Sequence, residues 1–222
     1  MIGLTDDDTL RDLSKGIAYT YMSDVQGDIA EFGCFYGKSS QAIAAAMQGC
    51  EKSHNIERNL WLFDSFQGLP TATLPPDTES PHVKSGAWTW KVEGAHAPTP
   101  TSIVQQCSAY LPVDRIKVIP GWYKEVLHQI PAGTKFALVH IDCDLYESAY
   151  QVLDYLFTHD MLADGCALFF DDWYCNRGSP CFGEQRAFAD VRARWINNQF
   201  RSDNITDWGP YGIVGRKFIV HV

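Results

Sequence analysis

Four aspartates lie in two short segments, HIDCD and FFDDW, each of which continues a run of apolar residues. Asp142 and Asp144 are two positions apart, and Asp171 and Asp172 are adjacent. Mutual repulsion makes such a group of carboxylates unfavourable to bury, and a divalent cation would offset the charge. Carboxylate oxygens suit Mg²⁺, which keeps several waters beside its few protein ligands. The pattern indicates a magnesium site; in the alternative, these acids cap helices and pair with arginines.

A glycine-containing turn, EFGCFYGKSS, follows the first predicted strand. It departs from the dinucleotide pattern G-x-G-x-x-G and lacks the complete phosphate-binding pattern G-x-x-x-x-G-K-[ST]. Glu31, Gly33 and Gly37 instead form the series acid-x-Gly-x-x-x-Gly, which is typical of S-adenosylmethionine-binding folds. Gly33 would let the backbone approach the ligand, and Glu31 would interact with its ammonium group, directly or through water. A purely structural turn between strand and helix is the alternative.

Two further strand ends carry residues suited to a nucleoside. Asp64 would accept hydrogen bonds from the ribose hydroxyls, unless it is a helix N-cap or a surface acid. Gly121, Trp122 and Tyr123 would form a platform for adenine by close backbone approach and stacking. An aromatic corner of the core is the alternative for these three residues.

Alternating strands and helices must position these residues. Strands are predicted at 27–33, 59–65, 115–121, 135–142 and 165–172, with a strand or hairpin at 211–222. Helices are predicted at 39–49, with Ser39 or Ser40 as N-cap and Gly49 as stop, and at 101–110, 124–130, 147–162 and 184–200. This order predicts a Rossmann-like α/β fold with a mostly parallel sheet and helices on both faces. In such folds ligands bind at the carboxyl ends of the strands, where these acids lie.

The length of 222 residues predicts one domain, 1–222, with a proline-rich lid at about 66–112. That segment contains seven of the eleven prolines. Trp88, Trp90 and Tyr110 would stack on a sugar or aromatic substrate, or alternatively pack the loop or a subunit interface.

The composition limits the partners. A formal net charge of −9 argues against nucleic acid, and no apolar run is long enough to span a membrane. The acidic N-terminus differs from an export signal, and the seven cysteines form no C-x-x-C pair. We expect a cytoplasmic protein with reduced thiols that acts on a small molecule and forms a homo-oligomer.

Five segments resemble successive motifs of the macrocin O-methyltransferase family, whose metal-dependent enzymes methylate sugar hydroxyls of antibiotics. They are GDIAEFGCFYGKSS, LWLFDSFQGLP, IPGWYKEVL, LVHIDCDLYESAYQVLDYL and GCALFFDDW. The resemblance implies a class I methyltransferase fold with a C-terminal antiparallel strand. The third to fifth strands also resemble catechol O-methyltransferase, in which a strand-end aspartate and a later Asp-Asn pair bind magnesium.

The resemblance also implies roles for individual residues. The residues implied to contact S-adenosylmethionine are Glu31, Gly33, Ser39, Asp64 and Ser65; Gly37, Gly121 and Trp122 are further candidates. Asp142, Asp171 and Asp172 are the implied metal ligands. Asp144 resembles a residue proposed as general base, and Asp142 is the second candidate catalytic residue. Rival bases are His140, for which a hydrogen-bonded core position is favoured, and the lid residues His82 and His96.

The sequence therefore predicts an O-methyltransferase that uses S-adenosylmethionine and Mg²⁺. Its acceptor would be a hydroxyl of a sugar or of a glycosylated natural product. Alternatives are a catechol or phenol O-methyltransferase, a metal-dependent phosphoryl hydrolase, and a non-catalytic binding protein. The hydrolase is disfavoured because basic residues near the acids are sparse.

Overall fold

The computed structural model describes residues 6–82, 97–196 and 205–222, and the strands in these ranges form a seven-stranded sheet. The strands are β1 (Asp28–Phe32), β2 (Leu60–Asp64), β3 (Ile116–Pro120), β4 (Phe136–Ile141), β5 (Leu162–Phe170), β6 (Ile205–Tyr211) and β7 (Gly215–Val220). Their order is β3-β2-β1-β4-β5-β7-β6. The first five strands are parallel, and β7 is antiparallel to β5 and β6. The strand order reverses between β1 and β4, the position at which open α/β sheets bind ligands.

Helices cover both faces of the sheet. They are α1 (Asp6–Met22), α2 (Lys38–His54), α3 (Pro75–Thr78), α4 (Pro100–Cys107), α5 (Tyr123–Val126), α6 (Tyr146–Thr158) and α7 (Gly183–Ile196). Buried apolar residues of α1, α2 and α4 pack on one face, and those of α5, α6 and α7 pack on the other. In the described part of the chain, no helix is long and apolar enough to cross a membrane.

Successive residues of the central strands pack on opposite faces. In β5, Leu168 and Phe170 pack on the α6–α7 side, whereas Phe169 packs on the α1–α2 side, and all three are fully buried. Parallel strands covered on both faces need apolar residues throughout, which explains the continuous hydrophobic runs of β4 and β5. Residues that leave such a strand one after the other also point to opposite faces, and this decides the arrangement of the acids described below.

The predicted fold class is confirmed, and several elements differ from the prediction. The antiparallel region is a hairpin, one of the two predicted alternatives, but its first strand, β6, begins at Ile205 rather than at 211. Helix α1 has no counterpart among the predicted elements. Helix α6 ends at Thr158 instead of 162, because Leu162 already pairs in β5. The short apolar run at this junction suits either element. The predicted end of the last helix, 197–200, lies outside the described residues.

Both predicted boundaries of α2 are wrong. The N-cap is Gly37, with a left-handed φ of 81°, rather than Ser39 or Ser40. The helix also continues through Gly49 to His54, and Asn55 follows in the left-handed conformation of a C-cap. A single glycine inside a helix costs only about 0.5–1 kcal/mol, so the longer apolar face of α2 outweighs it.

Candidate active site

A cavity of about 460 Å³ lies at the carboxyl ends of the parallel strands. The predicted residues in its lining are Gly33, Asp64, Ser65, Gly121, Trp122, Tyr123, Asp142, Asp144, Asp171 and Asp172. The carboxyl ends of β1 to β5 therefore converge on one concave surface, as the sequence predicts.

Asp64, at the end of β2, holds the glycine-containing turn. Its Oδ2 accepts hydrogen bonds from the backbone N–H groups of Cys34 at 2.8 Å and Phe35 at 3.0 Å. Its Oδ1 accepts a third bond, from the backbone N–H of Phe66 at 2.6 Å. A carboxylate offers about four acceptor positions, so roughly one remains for a hydroxyl group of a bound ligand.

Gly33 directly follows β1 and lies against the backbone that follows β4. Its φ is +97°, and a Cβ atom at this position would lie 1.8 Å from the carbonyl oxygen of Asp142. Any side chain would therefore clash with the backbone of the acidic segment. Gly33 is needed to keep the turn and the acids together.

Replacing Gly33 by alanine is expected to destabilise the protein by about 2–5 kcal/mol, because left-handed strain is added to the overlap with Asp142. The free energy of unfolding in urea measures this loss. The matched control is Gly133→Ala, since Gly133 has a φ of +84° but nothing within 4 Å of its hypothetical Cβ. A loss no larger for Gly33→Ala than for the control would contradict the packing argument.

The other predicted cofactor contacts fall into two groups. Ser65, Gly121 and Trp122 line the cavity on the side of β2 and β3. Gly37 and Ser39 lie outside that lining, at the start of α2. The cavity thus brings together the first group but not the second.

A buried polar network connects β1, β4 and β6 beneath the cavity. Glu31 is fully buried, with Oε1 3.0 Å from His140 Nδ1, and its Oε2 accepts a hydrogen bond from Ser40 Oγ. The hydroxyl group of Tyr211 lies 3.0 Å from His140 Nε2. Glu31 therefore contacts these side chains and does not line the cavity.

His140 is a hydrogen-bonded core histidine, as the sequence analysis favours. Burial alone would lower its pKa, but the neighbouring carboxylates of Asp171 and Glu31 raise the pKa to about 10. The imidazole is therefore protonated at neutral pH and compensates the charge of Glu31. A protonated imidazole cannot accept a proton, so His140 is unsuited to be a general base.

Three acids form a cluster on the cavity floor. Carboxylate oxygens of Asp142, Asp144 and Asp172 all lie within 4.8 Å of one another. The sequence predicts Asp171 in this group instead of Asp144. Asp171 and Asp172 leave β5 on opposite faces, so Asp171 turns toward His140, with 3.9 Å between Oδ1 and Nε2.

The electrostatics of the cluster suit a divalent cation. Burial, together with the charges of Asp171 and Asp172, raises the pKa of Asp142 well above its ordinary value. Burial and the charge of Asp171 also raise the pKa of Asp172. Asp142, Asp144 and Asp172 offer only carboxylate oxygens as ligand atoms, and Mg²⁺ prefers such hard oxygen donors. The residues therefore fit such an ion.

His82 and Cys175 lie at the edge of the acidic cluster. His82 Nε2 is 3.9 Å from Oδ1 of both Asp144 and Asp172. The Cys175 thiol donates a hydrogen bond to Asp172 Oδ1 at 2.9 Å. Of the two lid histidines considered as bases, His82 therefore lies beside the acids.

The other lid residues are not part of this arrangement. Trp88, Trp90 and His96 lie outside the described residues. Tyr110 packs against the apolar cluster on the α1–α2 side and does not line the cavity, which agrees with the packing alternative and not with stacking on a substrate. The structure has all seven cysteines as free thiols.

Sequence reasoning misses two residues that contact the site. Tyr211 and Glu184 are the first residues of the hairpin predicted at 211–222 and of the helix predicted at 184–200, but neither of them has a predicted role. Glu184 is fully buried and accepts backbone hydrogen bonds from Cys143 and Asp172. A glutamate in the first turn of a helix ordinarily indicates only favourable helix electrostatics, so neither residue has a distinctive sequence signal.

The sheet order and the strand-end cavity define the class I methyltransferase fold. The sequence profile described as Macrocin-O-methyltransferase (TylF) matches residues 1–194. The chain belongs to the macrocin O-methyltransferase family.

Three proteins illustrate the similarity. An 8-demethyl-8-(2,3-dimethoxy-alpha-L-rhamnosyl)-tetracenomycin-C 4'-O-methyltransferase from Streptomyces olivaceus is 29% identical over 69% of this chain and 56% of its own length. Mycinamicin III 3''-O-methyltransferase from Micromonospora griseorubida is 28% identical over 79% and 65%, respectively. The crystal structure of the calicheamicin methyltransferase CalS11 shares the fold with a TM-score of 0.71 and 23% identity, covering 97% of this chain and 80% of that one. The chain spans less than two thirds of the length of the first two proteins.

Proposed function

We propose that the protein is an S-adenosylmethionine-dependent O-methyltransferase whose acceptor is a hydroxyl group of a sugar or glycoside. The observation that carries the proposal is the acidic cluster of Asp142, Asp144 and Asp172 on the floor of the cavity that also contains Gly33 and Asp64. Family membership supports the reaction type. The two sugar-modifying relatives support the acceptor class.

The side of the cavity near β1, β2 and β3 would bind the cofactor. Gly33 brings the backbone to the cavity surface, and Asp64 has an acceptor position left for a ribose hydroxyl. Gly121 and Trp122 line the adjoining wall, where an adenine ring would stack. Glu31 would act indirectly, because its carboxylate holds Ser40 at the start of α2.

Asp142 and Asp172 would hold a divalent cation such as Mg²⁺. Asp171, the third ligand implied by the family resemblance, lines the cavity but lies outside the three-residue cluster, so it would have to turn from His140 to reach the ion. When bound, such an ion lowers the pKa of a coordinated hydroxyl group and orients it. In this assignment Asp144 lies beside the ligands and accepts the proton of the acceptor hydroxyl. His140 takes up no proton.

Alignment of acceptor and methyl group is the main requirement of an in-line displacement. Residues of the lid segment, including Phe66, Leu69 and Pro70, also line the cavity and would exclude water. Glu147 and Gln151 of α6 also line it, and they offer polar groups that can bind sugar hydroxyls. The catechol alternative has no specific observation in its favour.

Asp64→Asn is expected to weaken S-adenosylmethionine binding about 10- to 100-fold, since hydrogen bonds to a charged group contribute roughly 1.5–3 kcal/mol. An asparagine NH₂ group would face backbone N–H donors, and the turn would shift. Isothermal titration measures the effect. The matched control is Asp28→Asn: Asp28 also accepts three N–H bonds, from the backbone and side chain of Asn59 and from Trp61 Nε1, at the opposite end of β1. Equal losses for both variants would contradict the assignment.

Transfer of a labelled methyl group to a panel of glycosides, with and without Mg²⁺, tests the proposed activity. Methylated sugar hydroxyls are the expected product, identified by mass spectrometry. If the protein binds the cofactor and methylates catechols but no glycoside, the acceptor class is a catechol or phenol instead of a sugar. Phosphate release from esters without cofactor binding would instead favour a hydrolase.

A further inference from the structure

A fully buried carboxylate connects the two acidic segments from behind. Glu184 is the second residue of α7 and has no exposed surface. Its Oε1 accepts a hydrogen bond from the backbone N–H of Cys143 at 3.3 Å, and its Oε2 accepts one from the backbone N–H of Asp172 at 3.0 Å. Cys143 lies between Asp142 and Asp144, so one rigid carboxylate group holds both halves of the acidic cluster.

This connection begins where the sheet ends. The last residue pair of β4 and β5 is Ile141 with Phe170, and the backbone N–H of Asp171 still donates to the Ile141 carbonyl oxygen at 2.9 Å. Beyond that point the described residues show no β4–β5 ladder to fix the separation of the two chains. Glu184 supplies the next connection, because its two oxygens accept one N–H group from each segment.

The surroundings of Glu184 disfavour a charged carboxylate. Burial, followed by the charges of Asp172 and Asp171, raises the pKa of Glu184 well above its ordinary value. A buried charge among like charges is retained at a free-energy cost. The two hydrogen bonds offset part of that cost, and the position of Glu184 in the first turn of α7 offsets more.

We propose that Glu184 is a positioning residue, which sets the distance between Asp142 and Asp172 and thereby the affinity of the acidic cluster for a divalent cation. This inference rests on the proposed cation site. Glu184 does not line the cavity, so it acts through the backbone and contacts neither cation nor substrate.

Titration of the protein with Mn²⁺, followed by the electron paramagnetic resonance signal of the free ion, tests the proposal without any turnover. Glu184→Gln keeps the shape but places an NH₂ group against a backbone N–H. It is expected to weaken Mn²⁺ binding about 10- to 100-fold, the loss usual for residues that orient metal ligands. Glu184→Asp keeps the charge but cannot reach both N–H groups, and it is expected to be intermediate. Glu184→Asp also provides the measurement if Glu184→Gln fails to fold.

Asp77→Asn is the matched control. Asp77 is also buried, and its carboxylate accepts two backbone N–H bonds, from Tyr146 at 2.6 Å and Glu147 at 3.0 Å, but it joins α3 to α6 rather than the two acidic segments. Both substitutions should lower the melting temperature, and only those at Glu184 should weaken Mn²⁺ binding.

The outcomes separate the two proposals. Unchanged Mn²⁺ affinity in the folded Glu184 variants overturns the positioning role and leaves the cation site intact. Equal weakening by Asp77→Asn overturns it as well, since the effect would then follow from lost stability. Absence of Mn²⁺ binding by the unsubstituted protein overturns both the cation site and the role of Glu184.

Discussion

Asp144→Asn is expected to lower kcat for methyl transfer by about 10²–10⁴-fold, the usual contribution of a positioned general base. Asparagine has nearly the same shape as aspartate but cannot accept the proton of an acceptor hydroxyl. Asp144 is 7% exposed and adopts a left-handed φ of 55°, a conformation that asparagine also tolerates. The substitution should therefore remove the chemistry and preserve the fold.

Single-turnover kinetics and Mn²⁺ titration together check the role of Asp144. A general base predicts a large fall in kcat with little change in Mn²⁺ affinity. Asp171→Asn is the comparison, because Asp171 lines the same cavity from the opposite face and is a proposed ligand. Weakened Mn²⁺ binding as the main effect of Asp144→Asn would identify Asp144 as a ligand and transfer the role of base to another group, with His82 nearest on the lid side.

Removal of divalent cations by a chelator is expected to reduce methyl transfer at least about 10³-fold, because activation of the acceptor by a cation supplies several kcal/mol of the barrier reduction. Mg²⁺ should restore the activity after the chelator is removed. The expectation depends on the carboxylates of Asp142 and Asp172. Among the described ion pairs, the shortest distance from a basic side chain to either carboxylate is the 3.9 Å between His82 Nε2 and Asp172 Oδ1. Undiminished transfer after chelation would exclude the metal-dependent mechanism.

The same experiment has a pH dependence with a definite sign. Burial raises the pKa of Asp142 above the ordinary value of 3.8, so the folded cation-free protein binds a proton more tightly than the unfolded chain does. Its stability therefore falls as the pH rises above the ordinary carboxyl range. Protons also compete with the cation, so the increase in melting temperature caused by Mg²⁺ should grow from about pH 5 to about pH 8.

Calorimetry of the chelated and Mg²⁺-loaded protein across this range checks the pH dependence. Asp142→Asn serves as the control, because it removes the titrating carboxyl group and one proposed ligand together. Its melting temperature should respond little to Mg²⁺ at any pH. A Mg²⁺ effect that is equal at all pH values in the unsubstituted protein would contradict the linkage between protonation and cation binding.

The meeting of Asp64, Asp142 and Asp172 on one cavity could be predicted from the sequence. Each of these residues ends or follows an apolar run, and carboxyl ends of parallel strands share one edge of the sheet. The membership of the acidic cluster could not be predicted, because it depends on which of Asp171 and Asp172 leaves β5 toward the α7 side. That choice is set by the register of β5 and not by residue type.

The buried network was also inaccessible to sequence reasoning. His140 and Glu31 are adjacent only because β1 and β4 are neighbours in register, with Glu31 opposite His140. Tyr211 contacts His140 although the two residues are 71 positions apart in the sequence. Such long-range pairings follow from strand order, which local hydrophobic periodicity does not specify.

The C-terminal hairpin has a consequence for where this folding unit ends. The family profile stops at residue 194, but β7 supplies the hydrogen-bonding partner of β5, and Tyr211 closes the hydrogen-bond chain through His140. A polypeptide trimmed to the recognisable family sequence would leave the amide groups of β5 without partners along a bare sheet margin. Residues that the family profile does not match therefore complete the sheet next to the strand that carries Asp171 and Asp172.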